Sequence, residues 1–343
     1  MDAAAVMTEV RLRFRDGVER TVEAAPGESV LAAAIRAGVK LVHQCESGSC
    51  GTCMARLVAG EAAGIPGRAL ALLAGEIRDG WRLTCSVVAA GDCAFDLDYP
   101  STLLDGPQPT VIPATVTALD WVAKTVARLE IAVDAADFAF EPGQYVRIRV
   151  PGTDAWRSYS MATTAKELPR MRFLIRRLDG GTMSSWLQGG CAPGAAVEVE
   201  GPLGSFGLSP AKGPVLMVAG GTGLAPMLAM LDALRTRPGP KAQALLCFGC
   251  TAEDDLFYLD ELELRRFWMP GLKTRVALMQ PPAGAFDGAV GTAVSLIEDA
   301  DLARPGLTAY LCGPPPMIEA ARERLIAGGV PAEAIRAEHF RPT

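Results

Sequence analysis

Hydrophobic and polar positions change rhythm three times along the chain. Val10-Arg-Leu-Arg-Phe14 alternates apolar and basic, Asp16-Gly17 supplies a hairpin turn, and Glu19–Glu23 returns. Pro26-Gly27 then leads to Ser29, a helix cap, with Val30, Leu31, Ala34 and Ile35 expected on one buried face and Gly38 ending the helix. After a stretch rich in proline and glycine, Leu103–Pro113, the period of two resumes. It runs through Ala114–Ala118, Val126–Val133, Gln144–Val150, Met171–Arg177 and Val197–Glu200, with turn residues between. Short strands at this spacing predict an antiparallel barrel. From Pro214 the pattern becomes strand, helix, strand, helix, with strands at Val215–Ala219, Ala242–Phe248, Thr274–Met279 and Thr308–Cys312. That order predicts a doubly wound parallel sheet.

Composition narrows the possibilities. A length of 343 residues allows two or three domains, each with its own core. A net charge of −6 argues against a nucleic-acid partner, which needs a basic face. Gly213–Leu231 is free of charge, but Gly220, Gly221, Gly223 and Pro226 interrupt it. It reads as a buried strand, tight turn and helix rather than a membrane span. Met1–Arg13 lacks an apolar run of signal-peptide length, and thiols that must stay reduced suit the cytoplasm.

The densest chemistry lies in Val42–Met54, where Cys45, Cys50 and Cys53 stand at C-x4-C-x2-C spacing and Cys85 follows in Leu83-Thr-Cys-Ser. This is the spacing of plant-type [2Fe–2S] ligands, with Gly48 and Gly51 where a sharply turning loop needs them. A structural zinc site more usually shows two C-x2-C pairs. Cys247 and Cys250 also form a C-x2-C, but on a strand they point to opposite faces and read as structural. The opening segment through the cysteine loop resembles the plant-type ferredoxin fold, a small β-grasp domain. The resemblance implies Cys85 as fourth ligand.

Four further motifs occur in order: Glu141-Pro-Gly-Gln-Tyr145, Arg157-Ser-Tyr-Ser160, Gly180-Gly-Thr-Met-Ser-Ser-Trp186 and Gly201-Pro-Leu-Gly-Ser-Phe206. Together they resemble the flavin domain of the ferredoxin-NADP reductase superfamily. A flavin dinucleotide brings a pyrophosphate, for which Arg157 supplies a fork of donors. Gly181, Thr182, Met183 and Ser184 begin a helix whose N–H groups suit the same phosphates. The resemblance adds Ser158, Ile175 and Arg176 to the FAD-binding set, packs Tyr159 on the flavin ring, and puts Ser160 near its reactive edge. It makes Phe340 a shield at the C-terminal end.

Gly220-Gly-Thr-Gly-Leu-Ala-Pro226 closes a strand and opens a helix, with Pro226 where a dehydrogenase would carry a third glycine. Cys312-Gly-Pro-Pro-Pro-Met317 ends a later strand. Both match the pyridine-nucleotide motifs of the same superfamily, implying NAD contacts at Gly220, Gly221, Thr222, Gly223, Pro226, Cys312, Gly313 and Pro314. Cys312 is read equally well as a core thiol. Phe248-Gly-Cys-Thr-Ala-Glu-Asp-Asp255 offers three acids and no cation for an extra phosphate, which favours NADH. The same acids could instead serve the following helix's N-terminus. His43 and His339 are not expected to be catalytic.

The whole chain resembles the NADH-dependent reductases of bacterial multicomponent oxygenases. Within them it looks most like those of soluble di-iron monooxygenases, through Val150-Pro-Gly-Thr-Asp154, Leu256-Phe-Tyr-Leu-Asp-Glu-Leu262 and Tyr310-Leu-Cys-Gly-Pro-Pro314. The expected organisation is a [2Fe–2S] domain over 1–103, a linker over 104–113, an FAD barrel over 114–210 and an NAD domain over 211–343. Hydride would pass from NADH to FAD, with Tyr159, Ser160 and Cys312 around the reacting atoms, and single electrons would leave through the cluster to a hydroxylase. A monomer is expected, with neither a membrane nor a nucleic acid as partner. Reductases of Rieske dioxygenases, a reductase for a soluble cytochrome, and a zinc-stapled nucleotide sensor are the competing readings.

Overall fold

The structure is a computed structural model that describes residues 7–48, 51–68, 71–105, 109–209, 213–241 and 243–340. The chain divides into two compact units, Met1–Pro107 and Gln108–Thr343.

The first unit is a mixed five-stranded sheet with a helix at Val30–Arg36 and a shorter one at Ala74–Arg78. Its order is Glu19–Ala24, Thr8–Phe14, Cys93–Leu97, Met54–Ala59, Trp81–Leu83. The opening hairpin turns at Gly17, and Thr8–Phe14 then pairs in parallel with Cys93–Leu97. Alternation puts Val10, Leu12, Phe14, Val22, Phe95 and Leu97 into one core. Ser29 caps the helix Val30–Arg36, its Oγ accepting from the Ala32 N–H at 3.1 Å. The helix buries Val30, Leu31, Ala33 and Ala34, whereas Ile35 is 41% exposed. Ile35 falls about 40° beyond Leu31 on the helical wheel, just outside the buried arc. The expected face is thus shifted by one position, with Ala33 replacing Ile35.

The second unit joins two sheets. The antiparallel one runs Trp156–Ser160, Tyr145–Arg149, Ala196–Leu203, Thr110–Ala123, Val126–Val133, Arg170–Arg176. Its edges meet where the Ala162 N–H donates to the Arg172 carbonyl at 2.8 Å, closing the expected barrel. The long strand starts at Thr110, inside the proline-rich stretch, and Pro113 faces Glu198. Arg157-Ser-Tyr-Ser160 forms an edge strand in register with Tyr145–Arg149.

The second sheet is wholly parallel: Ala289–Val290, Leu272–Leu278, Ala244–Cys250, Val215–Gly220, Thr308–Gly313, Ile335–His339. The helices Leu224–Thr236, Leu259–Trp268 and Pro315–Ala327 connect the strands. The charge-free stretch from Gly213 becomes a central strand and a helix that buries Leu224, Met227, Leu228 and Leu231. Among the described residues no helix is long and apolar enough to cross a membrane. Val126, Ala162, Leu174 and Phe206 of the barrel share one core with this sheet, so the two halves are packed as a unit.

Candidate functional site

The cysteine loop is held at both ends. The buried Tyr99 hydroxyl accepts the Val42 N–H at 3.1 Å, and the Ala71 N–H donates to the Gly48 carbonyl at 2.8 Å. Gly48 and Gly51 take φ values of +82° and +79°, which a side chain would strain. Cys50 lies outside the described residues. The Cys53 and Cys85 side chains touch, with Cys45 close enough to act on Cys85 electrostatically. Thr84 fixes this pair, its N–H and its hydroxyl both donating to the Cys53 carbonyl at 3.0 and 3.1 Å.

Contact with the Cys53 thiol lowers the Cys85 thiol to about 6 against the opposing effect of burial, helped by the Ser86 hydroxyl and the Gly48 backbone. Elsewhere burial pushes thiols up, to about 12 for Cys247 and Cys250 and about 11 for Cys191. A metal ligand must be a thiolate, and Cys85 sits where that form is favoured. Among the described residues no three ligating side chains converge on a single ion. A two-iron cluster asks instead for two thiolate pairs, and Cys53 with Cys85 supplies one. The residues present fit that group.

In the second unit, the predicted flavin residues other than Phe340 lie on the strands Trp156–Ser160 and Arg170–Arg176 and at the start of the helix Thr182–Gly189. Tyr159 is largely buried, its ring edge-on to Phe173 at 6.5 Å, and burial raises its hydroxyl. Arg157 stands half-buried with Nη1 donating to the Trp156 carbonyl at 3.0 Å, while Ser158 is exposed. The helix Thr182–Gly189 starts where predicted. The Gly181 N–H is already given to the Leu178 carbonyl, so the N–H groups left for a phosphate are those of Thr182, Met183 and Ser184. The Met183 side chain is in the barrel core, and the Ser184 hydroxyl accepts from the Leu178 N–H at 2.8 Å. Ile175 also points into the core, which leaves its backbone for a ligand; Arg176 is exposed.

The Ser160 hydroxyl crosses to the other sheet and donates to Glu338 Oε2 at 2.9 Å. Glu338 sits on the edge strand Ile335–His339, opposite Cys312, and burial raises its carboxyl to about 7. The residue as a whole is half-buried. The Phe340 N–H donates to the Gly313 carbonyl at 3.0 Å, which brings Phe340 to the same place. Ser160, Cys312, Gly313 and Phe340, far apart in sequence, therefore converge. Glu338 was not predicted. Its signal was slight: a lone acid two residues before the C-terminal aromatic, on a strand too polar to be recognised.

The two nucleotide motifs pack against each other. A Cβ on Gly223 would lie 2.2 Å from the Cys312 carbonyl oxygen, so this glycine serves the loop-to-loop contact as well as any ligand. Gly221, at φ +52°, has open space beside it, and Thr222 is partly exposed. A Cβ on Gly220 would strike Met317 and Pro314. Pro226 lies in the first turn of its helix, as expected. Cys312 is fully buried and its thiol is pushed well up, an inert form. The three acids have partners. Asp254 pairs with Lys124 at 2.7 Å, Asp255 accepts from the Thr125 hydroxyl at 2.5 Å, and Glu253 accepts from the Ala283 N–H. Asp254 and Asp255 tie a barrel hairpin to the parallel sheet.

Comparison with known proteins follows the same division. Residues 14–90 match the 2Fe-2S iron-sulfur cluster binding domain, 113–207 the oxidoreductase FAD-binding domain, and 217–323 the oxidoreductase NAD-binding domain. The toluate 1,2-dioxygenase electron transfer component of Pseudomonas putida is 35% identical over 94% of this chain and 95% of its own. The propane 2-monooxygenase reductase component of Rhodococcus jostii is 34% identical over 96% and 91%. A crystal structure of an Amycolatopsis cytochrome P450 reductase superposes with a TM-score of 0.70 at 30% identity, covering 97% of this chain and 99% of that one. The chain belongs to the family of oxygenase electron-transfer reductases. It is an oxidoreductase with [2Fe–2S], FAD and NAD as its cofactors. As a reductase of this family it is neither a zinc-stapled scaffold nor a nucleotide sensor.

Proposed function

We propose that this reductase takes hydride from NADH and delivers single electrons to the hydroxylase of a soluble di-iron monooxygenase, acting as a cytoplasmic monomer with domains at 1–103, 114–210 and 211–343. The observation that carries it is the convergence of Ser160, Cys312, Glu338 and Phe340 in a protein that also brings Cys53 against Cys85. The bound groups supply two-electron acceptance from the nicotinamide and one-electron release through iron and sulfur. The chain's own residues do the rest. Arg157 and the N–H groups of Thr182–Ser184 hold the dinucleotide's phosphates, and Tyr159 gives its ring a packing face. The Gly220–Gly223 loop with Gly313 and Pro314 admits the nicotinamide coenzyme. Ser160 orients the reacting edge, and Glu338, poised near neutrality, holds or releases a proton at the Ser160 hydroxyl. Cys45, Cys50, Cys53 and Cys85 hold the cluster.

The relatives named for propane monooxygenase support the hydroxylase reading, as do the motifs around Pro151 and Leu256. The toluate dioxygenase relative, of nearly equal identity, supports a dioxygenase as acceptor. Turnover with each purified oxygenase separates them. Cys50→Ala should abolish reduction of any protein acceptor while NADH oxidation by ferricyanide stays close to wild type. Loss of both activities in a folded variant would show that electrons do not pass through the cluster last.

A further inference from the structure

Cys85 is flanked by two buried hydroxyls, and they do different work. Thr84 secures the Cys53 carbonyl, as described. Ser86, only 4% exposed, places Oγ 3.3 Å from the Cys85 sulfur. Its position is built rather than incidental. The Ser86 N–H donates to the Leu83 carbonyl at 2.8 Å, and its carbonyl accepts the Ile65 N–H at 2.8 Å. Cys85 is itself 1% exposed, so water does not compete for this contact. With a thiol, either atom could donate. A sulfur bound to iron carries no proton, and then the hydroxyl alone can be the donor.

We propose that Ser86 donates a hydrogen bond to the Cys85 thiolate in the loaded protein and thereby raises the reduction potential of the cluster. Reduction adds one negative charge, shared by the ligand sulfurs, so a donor aimed at one of them binds the reduced form more strongly. Backbone donors act in the same sense, but this one belongs to a side chain and can be removed. Ser86 is a tuning residue for electron delivery. This inference rests on Cys85 being a ligand.

The test is a redox titration of the purified holoprotein, following the reduced cluster by electron paramagnetic resonance. Ser86→Ala, with iron and acid-labile sulfide unchanged, should shift the one-electron equilibrium several-fold toward the oxidised cluster, each tenfold being about 59 mV. Ser86→Thr, which keeps the hydroxyl, should restore the wild-type potential. An unchanged potential in Ser86→Ala, or an equal drop in both variants, overturns the proposal. Should neither variant take up iron, the wild-type protein decides. Exchange into D2O must move its iron–thiolate Raman bands, and unmoved bands also overturn it. Cys85→Ala separates the two levels. Loss of its cluster with an unchanged Ser86→Ala potential refutes only the tuning role, whereas a retained cluster refutes the ligand assignment itself.

Discussion

Glu338 shows what one buried carboxyl does to the whole. Its folded value, raised to about 7 from an ordinary 4.5, means that the protonated form suits the site better than the charged one. The stabilisation is therefore complete below about 4.5 and is lost as pH rises through about 7. Glu338→Gln, neutral throughout, should gain thermal stability on the wild type from pH 5 to about pH 7 and level off above it. A difference that stays constant over that range would refute the burial argument. Ion pairs divide by the same logic. The Lys124–Asp254 pair is exposed on both sides, so Asp254→Ala should cost less than about 1 kcal/mol in urea unfolding. Arg265 is buried between Asp232 and Glu261, and Asp232→Ala leaves its charge with Glu261 alone. That variant should lose about 1.5–3 kcal/mol, more than the exposed pair.

Among the elements, the two nucleotide loops are the most tightly joined. Gly223→Ala puts a methyl into the Cys312 carbonyl, and neither backbone can yield without moving its strand. We expect a loss of about 1–3 kcal/mol and a raised KM for NADH, measured by urea unfolding and initial rates. Gly220→Ala meets the flexible Met317 at 2.8 Å and the rigid Pro314 ring at 2.9 Å rather than backbone, and should also lose stability. The elements that sequence revealed are those whose apolar residues keep a period, such as Val10–Phe14 and Val126–Val133. Those it hid are of another kind. Ile335–His339 reads Ile-Arg-Ala-Glu-His, with Arg336 buried by donating to the Gly207 carbonyl at 3.0 Å. Only tertiary partners make such a strand, and periodicity cannot show them. Trp156–Ser160 likewise shows no run of apolar residues, although its register with Tyr145–Arg149 is what positions Ser160.

At the scale of the molecule, each unit has its own core, and each carries its own kind of chemistry. Cysteine spacing and the glycine motifs announced both, because these ligands demand particular residues at particular separations. What they did not announce was how Asp254 and Asp255 bind Lys124 and Thr125, which joins the barrel to the parallel sheet. The Ser160–Glu338 contact likewise spans the two sheets, so that site depends on both halves of the second unit. The central claim is that electrons enter as a pair at that site and leave singly through the cysteine loop. Anaerobic titration of the purified protein with NADH, followed by absorbance, tests it most directly. The account predicts that the flavin and iron–sulfur bands both bleach in the wild type, and that only the flavin band is present and bleaches in Cys85→Ala. A wild-type flavin that is fully reduced beside a cluster that stays oxidised would contradict it.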